Sequence, residues 1–336
     1  MEPKESLAVR DTHSLHFSTA DIRYLKGRKQ FKMNNSVSTV PDKVLRLTQF
    51  LPWPASSGLF NALRRAYKKR GQLTGELTRI RFGTVQITAP LEHPAVYWRY
   101  RPAGFNQNFL LLVKRILEVR TGLIVDVGAN IGDGIALMRG SGVSAPVLAI
   151  EGAEVWFDFL KSNTRTFPNV ELENVFLGSL EEENHVALQV QDGTSKLIDG
   201  DSAIKITSLD TLMLHHKKHP VVLLKTDTDG FDAKVLFGAK ALLTKQKPIV
   251  FAEVDDGLLR EQGNSSQELI QYLAQCGYSS IAAWHNGGRW LTSRPITQGI
   301  DDLIAHHPGG LGKDYLDVAV FSNADQFIFD SLKGGI

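Results

Sequence analysis

Short apolar runs alternate with helical segments along the chain from Leu123 onward. Near-continuous apolar runs are typical of parallel strands that are covered on both faces, and helical spacing of apolar residues predicts the helices between them. The predicted strands are Leu123–Val127, Val147–Glu151, Val170–Val175, Val221–Asp227, Ile249–Glu253, Ser279–Trp284 and Leu316–Phe321. The predicted helices are Asn106–Val119, Asp133–Arg139, Glu154–Thr164, Phe231–Thr244 and one that follows the capping box Ser265–Glu268. This order predicts an α/β fold with a doubly wound, mostly parallel sheet.

The first hundred residues follow a different pattern. Residues 1–42 are polar and non-periodic, and we expect them to be mostly loose. Gly58–Arg70 is predicted to be a helix with apolar residues on one face and five Lys and Arg residues on the other. Arg79–Thr88 alternates apolar and polar residues, which predicts a strand. We therefore divide the chain into a basic accessory region, residues 1–104, and a main domain, residues 105–336.

Composition and charge narrow the class of protein. Hydrophobic residues make up 43% of the chain and charged residues 22%, which is ordinary for a folded soluble protein. Residues 1–120 contain 21 Lys and Arg against 8 Asp and Glu, whereas the remainder contains 17 against 28. A basic front joined to an acidic body indicates that the front contacts something anionic.

Targeting signals and cysteine usage bear on the compartment. No apolar run approaches the roughly 20 residues that a membrane-spanning helix needs, and the first residues lack the pattern of a secretory signal. The single cysteine, Cys276, cannot form an internal disulfide and favours a reducing compartment. We therefore predict a cytoplasmic protein.

The stretch from Asp126 to Gly132 is the most informative. A P-loop would need Gly-Lys-Ser/Thr after its glycines, and the dinucleotide pattern would need glycines at positions 128, 130 and 133. The chain instead has an acidic strand end followed by Gly128, Asn130 and Gly132, as in the loop that binds S-adenosylmethionine (SAM) in class I methyltransferases. The glycines let the backbone approach a ligand closely, and Asn tolerates positive φ. The alternative is a plain strand-to-helix turn.

Two carboxylates accompany this loop. Because SAM has no pyrophosphate, the carboxylate of Asp126 is tolerable beside it and can attract the sulfonium or amino group. Glu151 ends the second strand, 25 residues after Asp126, and is well placed to accept hydrogen bonds from both ribose hydroxyls.

Three further carboxylates end the next strands of the predicted sheet. Asp227 and Asp229 follow the strand that begins at Val221, and Glu253 ends the strand after it. A carboxylate whose pKa is raised by a neighbouring one can remove the proton of an acceptor hydroxyl. The alternative is that Asp227 and Asp229 cap the helix starting near Phe231.

Histidines and tryptophans outside this group have weaker signals. His215, His216 and His219 show no ligand spacing, so we predict a polar turn and no metal site. His285 lies at the turn between Trp284 and Trp290, which either rims an acceptor site or belongs to the core.

Five segments together resemble the FkbM family of SAM-dependent methyltransferases. They match its D-V-G-A-N-I-G loop, its S/T-L-D-x-L segment, its K-x-D-x-[ED]-G-x-[ED] strand end, its V-L-x-G-A segment and its P-x-x-x-x-E strand. The segments are Asp126–Gly132, Ser208–Leu212, Leu224–Asp232, Val235–Ala239 and Pro248–Glu253. The match covers about residues 105–322. It departs from the family at Gly152, where proline is frequent, and at Asp229, where glutamate is frequent.

The resemblance implies a class I methyltransferase fold, Rossmann-like with an antiparallel C-terminal strand. It implies SAM as cofactor and O-methylation of a sugar or glycan acceptor. From the residues themselves, we predict that SAM is bound by Asp126, Gly128, Ala129, Asn130, Gly132, Glu151 and Gly152. The predicted catalytic residues are Asp227, Asp229 and Glu253. The alternatives are O-methylation of a small polyketide-like metabolite and a binding protein without turnover.

The basic front leads to a prediction about partners. A helix with the composition of Gly58–Arg70 can lie on an anionic membrane, and glycan precursors are often built on lipid carriers. We therefore expect peripheral contact with the inner face of the membrane and no nucleic-acid partner. The alternative is that the apolar face of this helix packs on the main domain.

Overall fold

The structure is a computed structural model that describes residues 55–98, 106–180, 182–191, 194–310 and 314–332. The predicted loose segment, residues 1–42, lies outside the described residues. The strands of the described ranges are β1 (Leu77–Phe82), β2 (Val85–Pro90), β3 (Leu123–Val127), β4 (Val147–Ile150), β5 (Val170–Glu173), β6 (Phe176–Gly178), β7 (Glu182–Gln191), β8 (Thr194–Ser208), β9 (Val221–Thr226), β10 (Ile249–Val254), β11 (Tyr278–His285), β12 (Trp290–Pro295) and β13 (Leu316–Ser322).

Short helices connect most of these strands. The α-helices of the described ranges are α1 (Ala55–Thr74), α2 (Ala95–Trp98), α3 (Gln107–Val119), α4 (Asp133–Gly140), α5 (Glu154–Thr164), α6 (Leu209–Leu212), α7 (Asp232–Phe237), α8 (Lys240–Lys245), α9 (Asp256–Glu261), α10 (Ser266–Gln275), α11 (Asp301–His306) and α12 (Gln326–Ser331). Two 3₁₀ turns, Ile296–Gln298 and Asn323–Asp325, complete the set. In this part of the chain, no helix has both the length and the apolar composition that crossing a membrane requires.

The main sheet has the strand order β12-β11-β13-β10-β9-β3-β4-β5. Strands β3, β4, β5, β9 and β10 are parallel to one another. Strand β13 lies between β10 and β11 and is antiparallel to both. The predicted doubly wound, mostly parallel sheet with an antiparallel C-terminal strand is therefore confirmed.

Both faces of this sheet are covered by apolar side chains. On one face Ile124 and Phe251 belong to a core shared with helices α3, α4 and α5. On the other face Val125, Val127 and Ala252 pack with residues of helices α7, α8 and α10. Because every position of β3, β9 and β10 is buried, these strands are apolar except at Asp126, Lys225, Thr226 and Glu253 near their carboxyl ends.

The predicted single strand Arg79–Thr88 is wrong. The segment is a hairpin of β1 and β2, in which Phe82 pairs with Val85 across a two-residue turn. Gly83 has a φ of 54° in this turn, a conformation that glycine adopts at little cost. The alternation of apolar residues continues on both sides of the turn and therefore hides it.

The predicted continuous helix Phe231–Thr244 is also wrong, because it is divided into α7 and α8 at Gly238. A Cβ at Gly238 would collide with the carbonyl oxygen of Gly178. The Asp210 carboxylate accepts hydrogen bonds from the N–H groups of Ala241 and Leu242, at 2.6 and 2.9 Å, and so caps α8. Two segments that resemble family motifs, Ser208–Leu212 and Val235–Ala239, thus meet in a structural contact.

A second, three-stranded sheet with the order β6-β8-β7 lies beside the main one. The predicted strand Val170–Val175 ends at Glu173 as β5, and β6 begins at Phe176. The long hairpin of β7 and β8 was not predicted. Strand β6 pairs with β8 in this sheet, and its Phe176 ring lies against Gly152, just after β4.

The described part of the N-terminal region packs on the main sheet. Helix α1 extends beyond the predicted Gly58–Arg70, and its Phe60, Leu63 and Tyr67 are half-buried against the core that also contains Ile80 of the hairpin. This contact fits the alternative in which the apolar face of α1 packs on the main domain. Contact with an anionic membrane stays a prediction, which binding to anionic liposomes at low salt would test.

Candidate active site

The loop after β3 is built from residues with positive φ. Gly128, Asn130 and Gly132 have φ values of 77°, 50° and 82°, the left-handed region that glycine and asparagine tolerate. A Cβ at Gly128 would collide with the carbonyl oxygen of Asp227. Glycine at this position therefore lets the end of β3 touch the end of β9, and Gly132 then starts α4.

Glu151 is held by the backbone around this loop. Its Oε2 accepts a hydrogen bond from the Asn130 N–H at 2.9 Å, and its Oε1 accepts one from the Ala153 N–H at 2.8 Å. Each carboxylate oxygen keeps a further lone pair for a ligand hydroxyl. Burial raises the pKa of Glu151, and the two hydrogen bonds lower it. Burial is the larger effect, so the pKa is about 7. A Cβ at the next residue, Gly152, would collide with the ring of Phe176.

Asp126 and Lys225 form a buried ion pair beneath the loop. Lys225 Nζ lies 2.9 Å from Asp126 Oδ1 and 3.4 Å from Asp227 Oδ2. Burial lowers the pKa of Lys225, but the surrounding carboxylates of Asp126, Asp227 and Asp133 outweigh it and keep the ammonium charged. Asp126 therefore neutralises Lys225 from below, whereas Asp227 lies at the exposed edge of the site.

The carboxyl groups of Asp227 and Glu253 share a hydrogen bond at the ends of β9 and β10. Burial raises the pKa of Glu253 well above its ordinary range, and the charge of Asp227 raises it further. Partial burial raises the pKa of Asp227, but the Lys225 ammonium and a hydrogen bond from Glu253 outweigh it and lower that pKa. Lys225 thus favours the ionised form of Asp227, whereas burial and the charge of Asp227 favour the protonated form of Glu253, so the predicted raising of a pKa falls on Glu253.

Asp229 and two neighbours complete the acidic surroundings. Asp229 has a φ of 51° in the turn before α7. Burial raises the pKa of Asp133 to about 7 and that of Asp232 to about 6, and the charge of Asp227 adds to both shifts. The Oδ2 of Asp232 also lies within weak hydrogen-bond distance, 3.3 Å, of the Gly230 N–H.

These raised pKa values predict a pH-dependent stability of the ligand-free protein. The folded state binds the proton of Glu151 more tightly than the unfolded state, so this contribution is full below about pH 4.5 and is lost as pH rises through about 7. We expect the melting temperature to rise from pH 8 to pH 6 by a few degrees, at about 2–4 °C per kcal/mol for a domain of this size. Glu151→Gln should flatten this rise in calorimetry. An equal rise in both proteins would contradict the assignment.

The groups described above surround an open cleft of about 630 Å³ at the carboxyl ends of the parallel strands. This edge is where open α/β sheets bind ligands. The predicted site residues that line it are Gly128, Asn130, Glu151, Gly152, Asp227 and Asp229. The other predicted site residues, Asp126, Ala129, Gly132 and Glu253, lie behind this lining, and their roles stay predictions.

Several residues of the cleft were missed from sequence. Trp156, Phe176, Leu177 and Phe231 line it. In the sequence, Trp156 and Phe176 each follow an acidic strand end by a few residues. This position after a strand end is the sequence signal that could have placed them at the site. Together they add an apolar, aromatic wall to a polar site, as is usual for pockets that bind small organic ligands.

His285 is placed at the same sheet edge but does not form a metal centre. One ligand atom each from His285, His307 and Asp314 lies within 4.8 Å of the others. However, His285 Nδ1 accepts the Gly287 N–H at 2.9 Å, so its Nε2 carries the proton and donates to Asp314 at 3.1 Å. A cation would need that lone pair, so this donor set does not fit a metal. Trp284 is buried and belongs to the core.

The antiparallel strand β13 between β10 and β11, the glycine loop after β3 and the acidic residue after β4 define the class I methyltransferase fold. Residues 126–280 match the model of the methyltransferase FkbM domain. This match confirms the resemblance to the FkbM family of SAM-dependent methyltransferases. His93 and the other described residues before position 126 lie outside the matched range.

Solved structures are similar to the chain at low sequence identity. Methyltransferase FkbM from Methylobacillus flagellatus KT has 20% identity and a TM-score of 0.34, over 52% of this chain and 42% of that one. The chain thus covers less than half the length of that protein. The METTL16 MTase domain, in crystal form 2, has 12% identity and a TM-score of 0.39, over 90% of both chains. An O-methyltransferase from Bacillus cereus in complex with SAH has 17% identity and a TM-score of 0.34, over 64% of this chain and 79% of that one. A search of curated proteins found no match.

Proposed function

We propose that this protein is a SAM-dependent O-methyltransferase that transfers a methyl group to a hydroxyl of a sugar or glycan acceptor. The observation that carries the proposal is Asp227 at the rim of the cleft, directly beside the glycine loop, with Glu253 next to it behind the lining residues. Asp227 thus places a carboxylate with a lowered pKa where an acceptor would meet the methyl donor.

The residues present fit SAM in shape and charge. The absence of a Cβ at Gly128 and Gly152 lets the Asp227 carbonyl oxygen and the Phe176 ring lie directly against the loop and the end of β4, which shapes the wall of the cleft. Glu151 presents carboxylate oxygens with free lone pairs for ribose hydroxyls. When bound, SAM supplies a methyl group on a sulfonium cation. Carboxylates outnumber the Lys225 ammonium at the site, which favours a cationic ligand.

Asp227 is the residue that we assign as proton acceptor. As the acceptor oxygen bonds to the methyl carbon and the carbon–sulfur bond breaks, the oxygen gains positive charge and its proton becomes strongly acidic. An ionised carboxylate with a lowered pKa is a weak base, but it can take that proton because the proton has become far more acidic than that of a free hydroxyl. Lys225 holds Asp227 in its ionised form, and Glu253 donates a hydrogen bond to it.

Two points support a sugar or glycan acceptor: the resemblance to the FkbM family, and a carboxylate, Asp227, that can accept the proton of a hydroxyl. A small polyketide-like metabolite remains the alternative acceptor. A binding protein without turnover is disfavoured, because the glycine loop, Glu151 and Asp227 are all in place around one cleft. A lipid-linked glycan would connect the acceptor with the basic front, and we propose no nucleic-acid acceptor.

Calorimetry and acceptor screening test the proposal. We expect the purified protein to bind SAM, and to transfer deuterated methyl from labelled SAM to sugar-containing molecules, detected by mass spectrometry. Label found only in small non-sugar metabolites would support the alternative acceptor. Absence of SAM binding would reject the proposal.

Glu151→Ala is expected to weaken SAM binding. The variant removes charged hydrogen bonds to the ribose, at a cost of about 1–3 kcal/mol, or roughly 5- to 150-fold in dissociation constant. Calorimetric titration of both proteins at pH 8, where Glu151 is ionised, measures this change. Glu154→Ala, an exposed glutamate of the next helix, is the matched control and should bind as wild type does. Equal affinity in the Glu151 variant would show that the ribose lies elsewhere.

A further inference from the structure

A histidine from the N-terminal region contacts the glycine loop. His93 is 3% exposed, and its Nε2 lies 3.0 Å from Asn130 Oδ1. The Ala95 N–H donates to His93 Nδ1 at 3.2 Å, so Nδ1 has no proton and Nε2 carries it. His93 therefore donates its Nε2–H to the side chain of Asn130. Its ring also meets the ring of Trp156 edge to face at 5.3 Å.

This hydrogen bond continues to the candidate ribose ligand. The Asn130 backbone N–H donates to Glu151 Oε2 at 2.9 Å, and Asn130 has a φ of 50°. A residue other than glycine keeps a left-handed backbone conformation only when its surroundings hold it there. His93 thus fixes the side chain of the residue whose main chain orients Glu151.

A second bridge joins the hairpin to the next residue of the loop. Asn163 accepts the Thr88 N–H at 2.8 Å and donates to the carbonyl oxygens of Thr88 at 2.9 Å and Ile131 at 2.8 Å. The hairpin turn also lies against the end of α4, where a Cβ at Gly83 would collide with the Gly140 carbonyl oxygen. Residues 83–93 therefore contact Asn130 and the end of α4 directly, and they are linked to Ile131 through Asn163 of α5.

We propose that the segment Val85–Tyr97 is part of the methyl-donor site, with His93 and Asn163 as positioning residues that hold the loop in its binding conformation. This inference rests on the proposed binding of SAM. It assigns to the N-terminal region a role in donor affinity. Because neither residue reaches the Asp227 pair in the described contacts, the chemical step should be spared.

His93→Phe tests this role, since it keeps a ring against Trp156 and removes both nitrogens. We expect the dissociation constants for SAM and for its demethylated product to rise about tenfold, the equivalent of a hydrogen bond to a buried polar group. KM for SAM should rise in parallel, while kcat at saturating SAM stays within about twofold. His93→Gln, whose amide can donate to Asn130, should recover most of the affinity. His215→Ala, at an exposed histidine, is the control.

A double-mutant cycle separates positioning from general destabilisation. If His93 acts through Asn130, adding His93→Phe to Asn130→Gly should change the dissociation constant by less than about twofold. Asn163→Ala should weaken SAM binding independently. A lowered melting temperature with unchanged SAM affinity in both His93→Phe and Asn163→Ala would overturn the inference. Failure of the wild-type protein to bind SAM would instead reject the proposed function.

Discussion

Gly128→Ala should abolish measurable SAM binding while the protein remains folded. The added Cβ would occupy space taken by the Asp227 carbonyl oxygen, and the φ of 77° is unfavourable for alanine. Relief of the collision moves the loop away from β9, and a displacement on the order of 1 Å at a site can cost about 10²-fold. Calorimetric titration gives the affinity, and circular dichroism gives the fold.

Gly142→Ala is a matched control for this variant. Gly142 has a φ of 83°, yet a Cβ there would meet nothing within 4 Å. The control therefore carries the same backbone strain without the collision. It should bind SAM as the wild type does, with a melting temperature lowered slightly. Equal losses of affinity in the two variants would attribute the effect to strain and would displace the proposed pocket.

Asp227→Asn should lower turnover by about 10²–10⁴-fold while SAM affinity changes little. The substitution keeps the size of the side chain and removes the ionised group that accepts the hydroxyl proton. It also removes a charge 3.4 Å from Lys225 Nζ, which Asp126 still compensates at 2.9 Å. The measurement is kcat with the identified acceptor at saturating SAM, together with a SAM titration.

Asp301→Asn, at an exposed aspartate of α11, is the control and should leave turnover unchanged. Retained turnover in Asp227→Asn would transfer the role of proton acceptor to Asp229. A joint loss of turnover and SAM affinity would instead mean that Asp227 holds the donor.

Local sequence patterns predicted the central elements well. Strand β3 and helix α5 have the predicted bounds, Leu123–Val127 and Glu154–Thr164, because turn residues flank them on both sides. The errors have long-range causes. The interruption at Gly238 depends on contact with Gly178, which is 60 positions earlier, and a periodic apolar pattern does not carry that information. The hairpin of β7 and β8 has mostly polar residues and therefore little alternation.

The site likewise has features that the sequence predicts and features that depend on long-range contacts. Gly128, Asn130 and Glu151 were predicted because their roles depend on the backbone at each position, and the structure brings them to one cleft. Which carboxylate of the Asp227 pair keeps a proton depends on Lys225 and burial, so sequence spacing could not decide it. The contact of His93 with Asn130 joins regions 37 positions apart that share no pattern.

The single ammonium of Lys225 has a consequence for product release. It is shared among Asp126, Asp227 and Asp133, so the cleft carries surplus negative charge even before a ligand enters. If SAM is the donor, its sulfonium is attracted by this field, and transfer of the methyl group converts it into an uncharged thioether. The reaction thus removes the charge that these carboxylates attract, so we expect their contribution to binding, which several residues share, to be smaller for the spent donor than for SAM.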